Sequence, residues 1–136
     1  MKEQLRVIIE NEILALEELL NLLDDQHLYI VKSSVFDMES CVEKIELCNK
    51  KVAEWEFKRR QLTKGEAMSR IVSGFDDEEL DKSYRKIKSL LEQLKLQKDT
   101  NELLIRQGLS FTAKMLNILN PDRSVRTYNN YGKVKK

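Results

Sequence analysis

KEQLRVIIENEILALEELLNLLDDQHLYIVK, residues 2–32, is the stretch that decides the fold. Ile9, Leu16, Leu23 and Ile30 recur every seven residues, and Ile13 and Leu20 fill the same face between them. This is the a/d spacing of a helix that packs against other helices. Ile8, Leu14, Leu19, Leu22 and Leu28 widen the apolar surface beyond one narrow seam. A helix this apolar must touch more than one neighbour.

The rest of the chain offers the neighbours. Its 136 residues suit one domain, and the lone proline, Pro121, leaves the first 120 positions open to helix. Ser33, Ser34 and Asp37 form a break and a new helix start. In the second stretch Met38, Ile45 and Val52 lie on one line and Cys41, Cys48, Trp55 and Leu62 on the next, as in an antiparallel hairpin partner. Thr63–Gly65 weakens that helix, and Met68, Ile71, Val72 and Phe75 then form a short apolar cluster. The cluster fits either a frayed continuation or a separate short helix. Asp76, with Glu79 three residues on, reads as the cap of a third stretch. Leu80, Tyr84, Ile87, Leu91 and Leu94 carry its stripe, which turns polar near Gln97, Lys98 and Asp99 and resumes with Leu104, Ile105, Phe111, Met115, Ile118 and Leu119. Unbroken, this helix extends on the order of 64 Å, long enough for its far end to overhang the hairpin. Asn120, Pro121 and Asp122 stop it. The expected fold is all-α: an elongated antiparallel three-helix bundle, or helical hairpin with a long C-terminal helix. The bundle domain would occupy residues 1–120, and residues 121–136 a basic, flexible tail.

Charge is divided along the chain. Residues 1–57 hold 6 Lys/Arg against 13 Asp/Glu, residues 58–119 hold 13 against 9, and residues 120–136 hold 5 against 1. An acidic first half folding onto a basic second half is self-complementary, while the tail suits an acidic partner. No apolar run approaches the roughly 20 residues that span a bilayer, and no signal peptide opens the chain, so the expected location is cytoplasmic. Cys41 and Cys48, seven apart on one helix, lie about 10 Å apart, beyond disulfide reach, and read as reduced core thiols.

Little in the chain points to chemistry. His27, the single histidine, falls on the Leu20/Leu23/Ile30 face and reads as a half-buried, hydrogen-bonded side chain rather than a zinc ligand. Both cysteines sit on the apolar stripe, where a thiol is not activated. Asp24 with Asp25 reads as a solvated face, and Asp76 with Asp77 as a helix start. There is no Gly-rich phosphate loop. Lys58, Arg59 and Arg60 and the basic tail lack any nucleic-acid motif around them, so no nucleic-acid partner is expected. Asn101 and Gly108 stand on the heptad line of Leu80, Ile87, Leu94 and Met115, where an apolar residue belongs. Two readings stay open: a register-setting polar residue with a close helix crossing, or a seam left unsatisfied until a partner arrives.

The pattern resembles the FlgN family. The resemblance rests on the leucine-rich opening helix from Leu16 to Leu28, on Arg60 with Leu62, on Asn101 with Leu103 and Leu104, and on a tail of the form Thr127, Tyr128, Gly132. It implies a cytosolic chaperone, without cofactor or catalytic residue, for hook-associated (hook–filament junction) proteins, which it delivers to the flagellar export apparatus. It further implies that the amphipathic C-terminal helices of those proteins bind the C-terminal half of the chaperone. Carried onto this chain, the binding residues would be Leu104, Ile105, Gly108, Phe111, Met115, Ile118 and Leu119, with Tyr128 and Gly132 as the tail motif. The alternative is a structural coiled-coil subunit that self-associates through the same stripe.

Overall fold

The heptad stripe of residues 2–32 becomes α1 (Lys2–Val31), followed by α2 (Val35–Thr63), a short α3 (Met68–Phe75) and a long α4 (Glu78–Leu119). The computed structural model describes residues 2–119, the side chains of residues 110–112 excepted, and shows no strand among them. The fold is all-α, as expected, and the cluster after Gly65 is a separate helix of 8 residues. The helix stop at Asn120–Asp122 lies outside the described residues. Two compact units divide the chain, Met1–Asn101 and the residues from Glu102 onward.

In the first unit α1 is the shared partner. Its contacts with α2 run antiparallel, from Glu12 with Arg59, through Ala15 with Cys48, to Leu22 with Cys41. Those with α4 run parallel, from Arg6 with Asp77, through Glu17 with Lys86, to Leu23 with Asn101. The core joins Leu5, Ile9, Leu16 and Leu23 of α1 to Ile71 and Val72 of α3 and Leu80, Ile87 and Leu94 of α4. Each such side chain contributes about 1.5–3 kcal/mol when fully buried. Leu90 is buried and Leu91 exposed, which corrects the expected stripe. Leu90 lies three residues from Ile87 and four from Leu94, so it stands between them on the helix surface.

The cysteines set how closely α1 and α2 approach. Cys41 and Cys48 are buried, and their thiols donate to the Leu22 and Ala15 carbonyls at 3.3 and 3.4 Å. Their small side chains let α2 lie directly on the backbone of α1. Burial pushes both thiols up from their ordinary pKa, so they stay protonated. Higher on the same interface, the buried Glu12 forms an ion pair with the half-buried Arg59 at 2.9 Å.

Two helix ends share one device. Ser33 and Lys64 adopt left-handed φ values of 55° and 53°. The following N–H groups, of Ser34 and Gly65, reach back to the Tyr29 and Arg60 carbonyls. This six-residue closure satisfies carbonyls that would otherwise be orphaned at the helix end. Ser34 begins α2 as expected, but its hydroxyl donates to the Asp37 carboxylate at 2.6 Å instead of capping a backbone N–H.

The start of α4 corrects a second expectation. Asp76 takes a left-handed φ of 49° and ends α3, and Asp77 is the cap. One Asp77 oxygen accepts from the Glu79 and Leu80 N–H groups at 2.9 and 3.4 Å. The other meets Lys2 at 3.0 Å and Arg6 at 2.9 Å. The Lys2 contact and the backbone donors hold the carboxyl down at about 2, against the opposing pull of burial. One aspartate thereby ties the first turn of α4 to the first turns of α1.

Candidate functional site

The seam of α4 reaches Asn101 as the last residue of the first unit. Its side chain is buried and fully partnered: the amide donates to the Leu23 carbonyl at 2.8 Å and to Gln26 at 2.9 Å, and its oxygen accepts from Gln97 at 2.9 Å. Gln97 also lies 3.3 Å from Nδ1 of His27, which is half-buried and hydrogen-bonded. Asn101 is therefore a register-setting polar residue, satisfied within the fold. Gly108, seven residues on along the same line, is not a close crossing. It is exposed, and a side chain built there would meet nothing within 4 Å.

In the second unit α4 continues to Leu119 with the same spacing but with its apolar side chains in solvent. Met115 is 40% exposed, Ile118 73% and Leu119 71%, while Leu104 and Ile105 are half-buried. The helix brings Leu104 and Ile118 onto one line, Gly108 and Met115 onto a second, and Ile105 and Leu119 onto a third, all three adjacent. Leu103, Leu109 and Leu116 are exposed as well, off the expected stripe. They widen the apolar surface to about two thirds of the helix circumference. Leu103 repeats the exposed Leu96 seven residues earlier, while Leu109 and Leu116 form a line that has no apolar member in the first unit. Arg106 and Lys114 bring sparse charge to this segment, with Arg106 paired to Glu102 at 3.9 Å. The Phe111 side chain, and the tail motif of Tyr128 and Gly132, lie outside the described residues.

This arrangement suits association. Among the described residues no group of three or more His, Cys, Asp and Glu side chains gathers as metal ligands. Every buried side-chain nitrogen and oxygen among them has a hydrogen-bond partner, so none is left aimed at a missing ligand. No described helix is long and apolar enough to cross a membrane. Exposed apolar patches of this kind occur at protein–protein and membrane contact sites and in ligand grooves.

No curated protein and no solved structure matches the chain. A family match to FlgN protein extends over residues 1–136, its whole length. The chain belongs to the FlgN family, a family of flagellar export chaperones.

Proposed function

We propose that this chaperone acts in the cytoplasm on hook–filament junction proteins and delivers them to the flagellar export apparatus. On this reading the amphipathic C-terminal helices of those proteins are held on the distal part of α4. The observation that carries it is the exposure of Met115, Ile118 and Leu119 on the continuation of a stripe that is buried at Leu80, Ile87 and Leu94. An amphipathic helix laid against such a surface would hide the apolar face that otherwise drives premature assembly, and would remain releasable. Residues 120–136, with Tyr128 and Gly132, would then dock the loaded chaperone on an acidic surface of the export apparatus.

Paired measurements on one variant test the reading. Replacing Met115 and Ile118 with Ser removes two side chains each worth about 1.5–3 kcal/mol when fully buried. Affinity for a junction-protein C-terminal peptide should fall by about a hundredfold or more. Thermal stability without peptide should hardly change, because both side chains are already exposed. Unchanged affinity in the stable variant would reject the site. A wild-type chain that stays oligomeric on dilution, and loses that state in the variant, would favour the coiled-coil subunit instead.

A further inference from the structure

The outer face of α1 has an organisation that the distal site does not use. Val7, Leu14, Asn21 and Leu28 fall on one heptad line, apolar but for Asn21, and all four are exposed although they lie on a helix whose other side is core. Four residues before successive positions of that line come Glu3, Glu10, Glu17 and Asp24, and four after come Glu18 and Asp25. Residues four apart are neighbours on a helix surface, so carboxylates border the apolar line on both sides. Between residues 7 and 31 the chain has no Lys or Arg at all. Three of these carboxylates meet cations in loose surface contacts: Glu3 with Arg6 at 3.6 Å, Glu17 with Lys86 at 3.6 Å and Glu18 with Lys51 at 3.5 Å. Glu10, Asp24 and Asp25 make no ion pair among the described residues.

One end of the line opens into a cleft of about 690 Å³ between α1 and α2. Val7, Ile8 and Leu62 line it with apolar atoms, and Lys58 and Gln61 stand beside them. A helix following the apolar line would meet this cleft with an end residue, so the two features form one surface. Its charge repels nucleic acid and anionic lipid alike, since both carry phosphate. What fits is a helix with a narrow apolar seam bordered by Lys or Arg.

We infer that the outer face of α1 is a second docking surface, separate from distal α4, for a basic amphipathic helix of a partner protein. Such a helix sets its apolar seam on Val7, Leu14 and Leu28, its cations against the bordering carboxylates and a large side chain in the cleft. With one apolar line and several charge pairs, the contact is fast to form, weak and salt-sensitive.

The test uses the full chain and a labelled synthetic helix with Leu at a and d positions and Lys at e and g. A second peptide of identical composition, with its Leu positions scrambled, serves as the comparison. Fluorescence anisotropy should show the patterned peptide binding, with affinity falling as salt rises. Replacing Val7 and Leu14 with Ser should weaken it about tenfold or more, a factor that corresponds to about 1.4 kcal/mol. Replacing Glu10 and Asp24 with Lys should abolish it. The Met115→Ser, Ile118→Ser chain should bind it as the wild type does, which separates this surface from the distal one. Equal binding of the scrambled peptide, or indifference to Val7→Ser with Leu14→Ser, would reduce the face to plain acidity and overturn the inference. So would loss of wild-type self-association in that same variant, because the occupant would then be a second copy of the chain.

Discussion

Arg59→Met should be among the most damaging single changes in this chain, and the reason lies in Glu12. The two side chains meet at 2.9 Å, Glu12 with 5% of its side-chain surface exposed and Arg59 with 17%, so Glu12 is closed off from water and Arg59 is largely so. Burial pushes the Glu12 carboxyl above its ordinary pKa, and the Arg59 guanidinium, by charge and by hydrogen bond, works against that push. Removing the guanidinium leaves a buried carboxylate alone, which costs about 3–5 kcal/mol in comparable sites. The partial exposure of Arg59 argues for the lower end, about 3 kcal/mol. At about 4 °C per kcal/mol for a domain near 100 residues, the midpoint of thermal unfolding should drop by about 12 °C. Circular dichroism against temperature and against urea gives both numbers. The pH dependence has a definite sign. An acid whose folded pKa is raised binds more protons in the folded state, so stability is regained as the pH is lowered through that pKa. The deficit of Arg59→Met should therefore shrink between neutral pH and the ordinary carboxyl value of 4.5. Replacing both partners, Glu12→Leu with Arg59→Met, should return stability to near the wild type, because an apolar pair of similar volume needs no charge compensation. If Arg59→Met alone stayed within about 0.5 kcal/mol of the wild type, the premise that Glu12 is held dry and charged would be wrong.

Asp77→Asn keeps a capping side chain but removes the charge that meets Lys2 and Arg6. The Asp77 carboxyl sits at about 2 in the folded chain against 3.8 ordinarily, so its contribution is complete above 3.8 and is lost as the pH falls toward 2. The acid limb of a pH–stability curve should be shallower in the variant, and an unchanged limb would show that the cation contacts contribute nothing. Cys41 and Cys48 should react with a thiol reagent only as fast as the hairpin opens, since both are buried and held protonated. Labelling that outruns unfolding would mean that α2 separates from α1 without global unfolding.

Ile9, Ile13, Leu16 and Leu23 of the α1 stripe were legible because a buried helix face repeats along its own sequence, whereas Leu5 joined the core unforeseen and Leu14 and Leu28 stayed exposed. What a residue meets far away in the chain does not repeat. Glu12 looked like any acid between Asn11 and Ile13, and only the hairpin closure brings Arg59 to it across 47 positions. At the α3–α4 junction the local sequence offers Asp76 and Asp77 as equivalent caps. The choice falls to Asp77 because the chain reverses through a left-handed Asp76 and because Lys2 and Arg6 wait on α1. Phe36 shows the opposite failure. It is an aromatic residue in a strongly helical segment, and at 87% exposure it belongs to no core that a periodic reading could find.

Spacing is blindest along α4, where a buried stripe and an exposed one look alike. Asn101 is the residue that separates them. Leu80, Ile87 and Leu94 repeat every seven, so a slide of α4 by one heptad would return a similar apolar face to α1. Apolar packing alone therefore discriminates weakly between the two registers. Only in the observed register does an amide stand at the Leu23 carbonyl with Gln26 beside it. A slide would bring Leu94 or Gly108 to that place and leave the Asn101 amide to find other partners. An unsatisfied buried amide costs about 1–3 kcal/mol, enough to favour one register by roughly 5- to 140-fold. Asn101 thereby does more than close the first unit: it sets which leucines of α4 are spent on the core. Beyond it Leu104 is half-buried, and Leu103, Leu109, Leu116 and Leu119 are exposed.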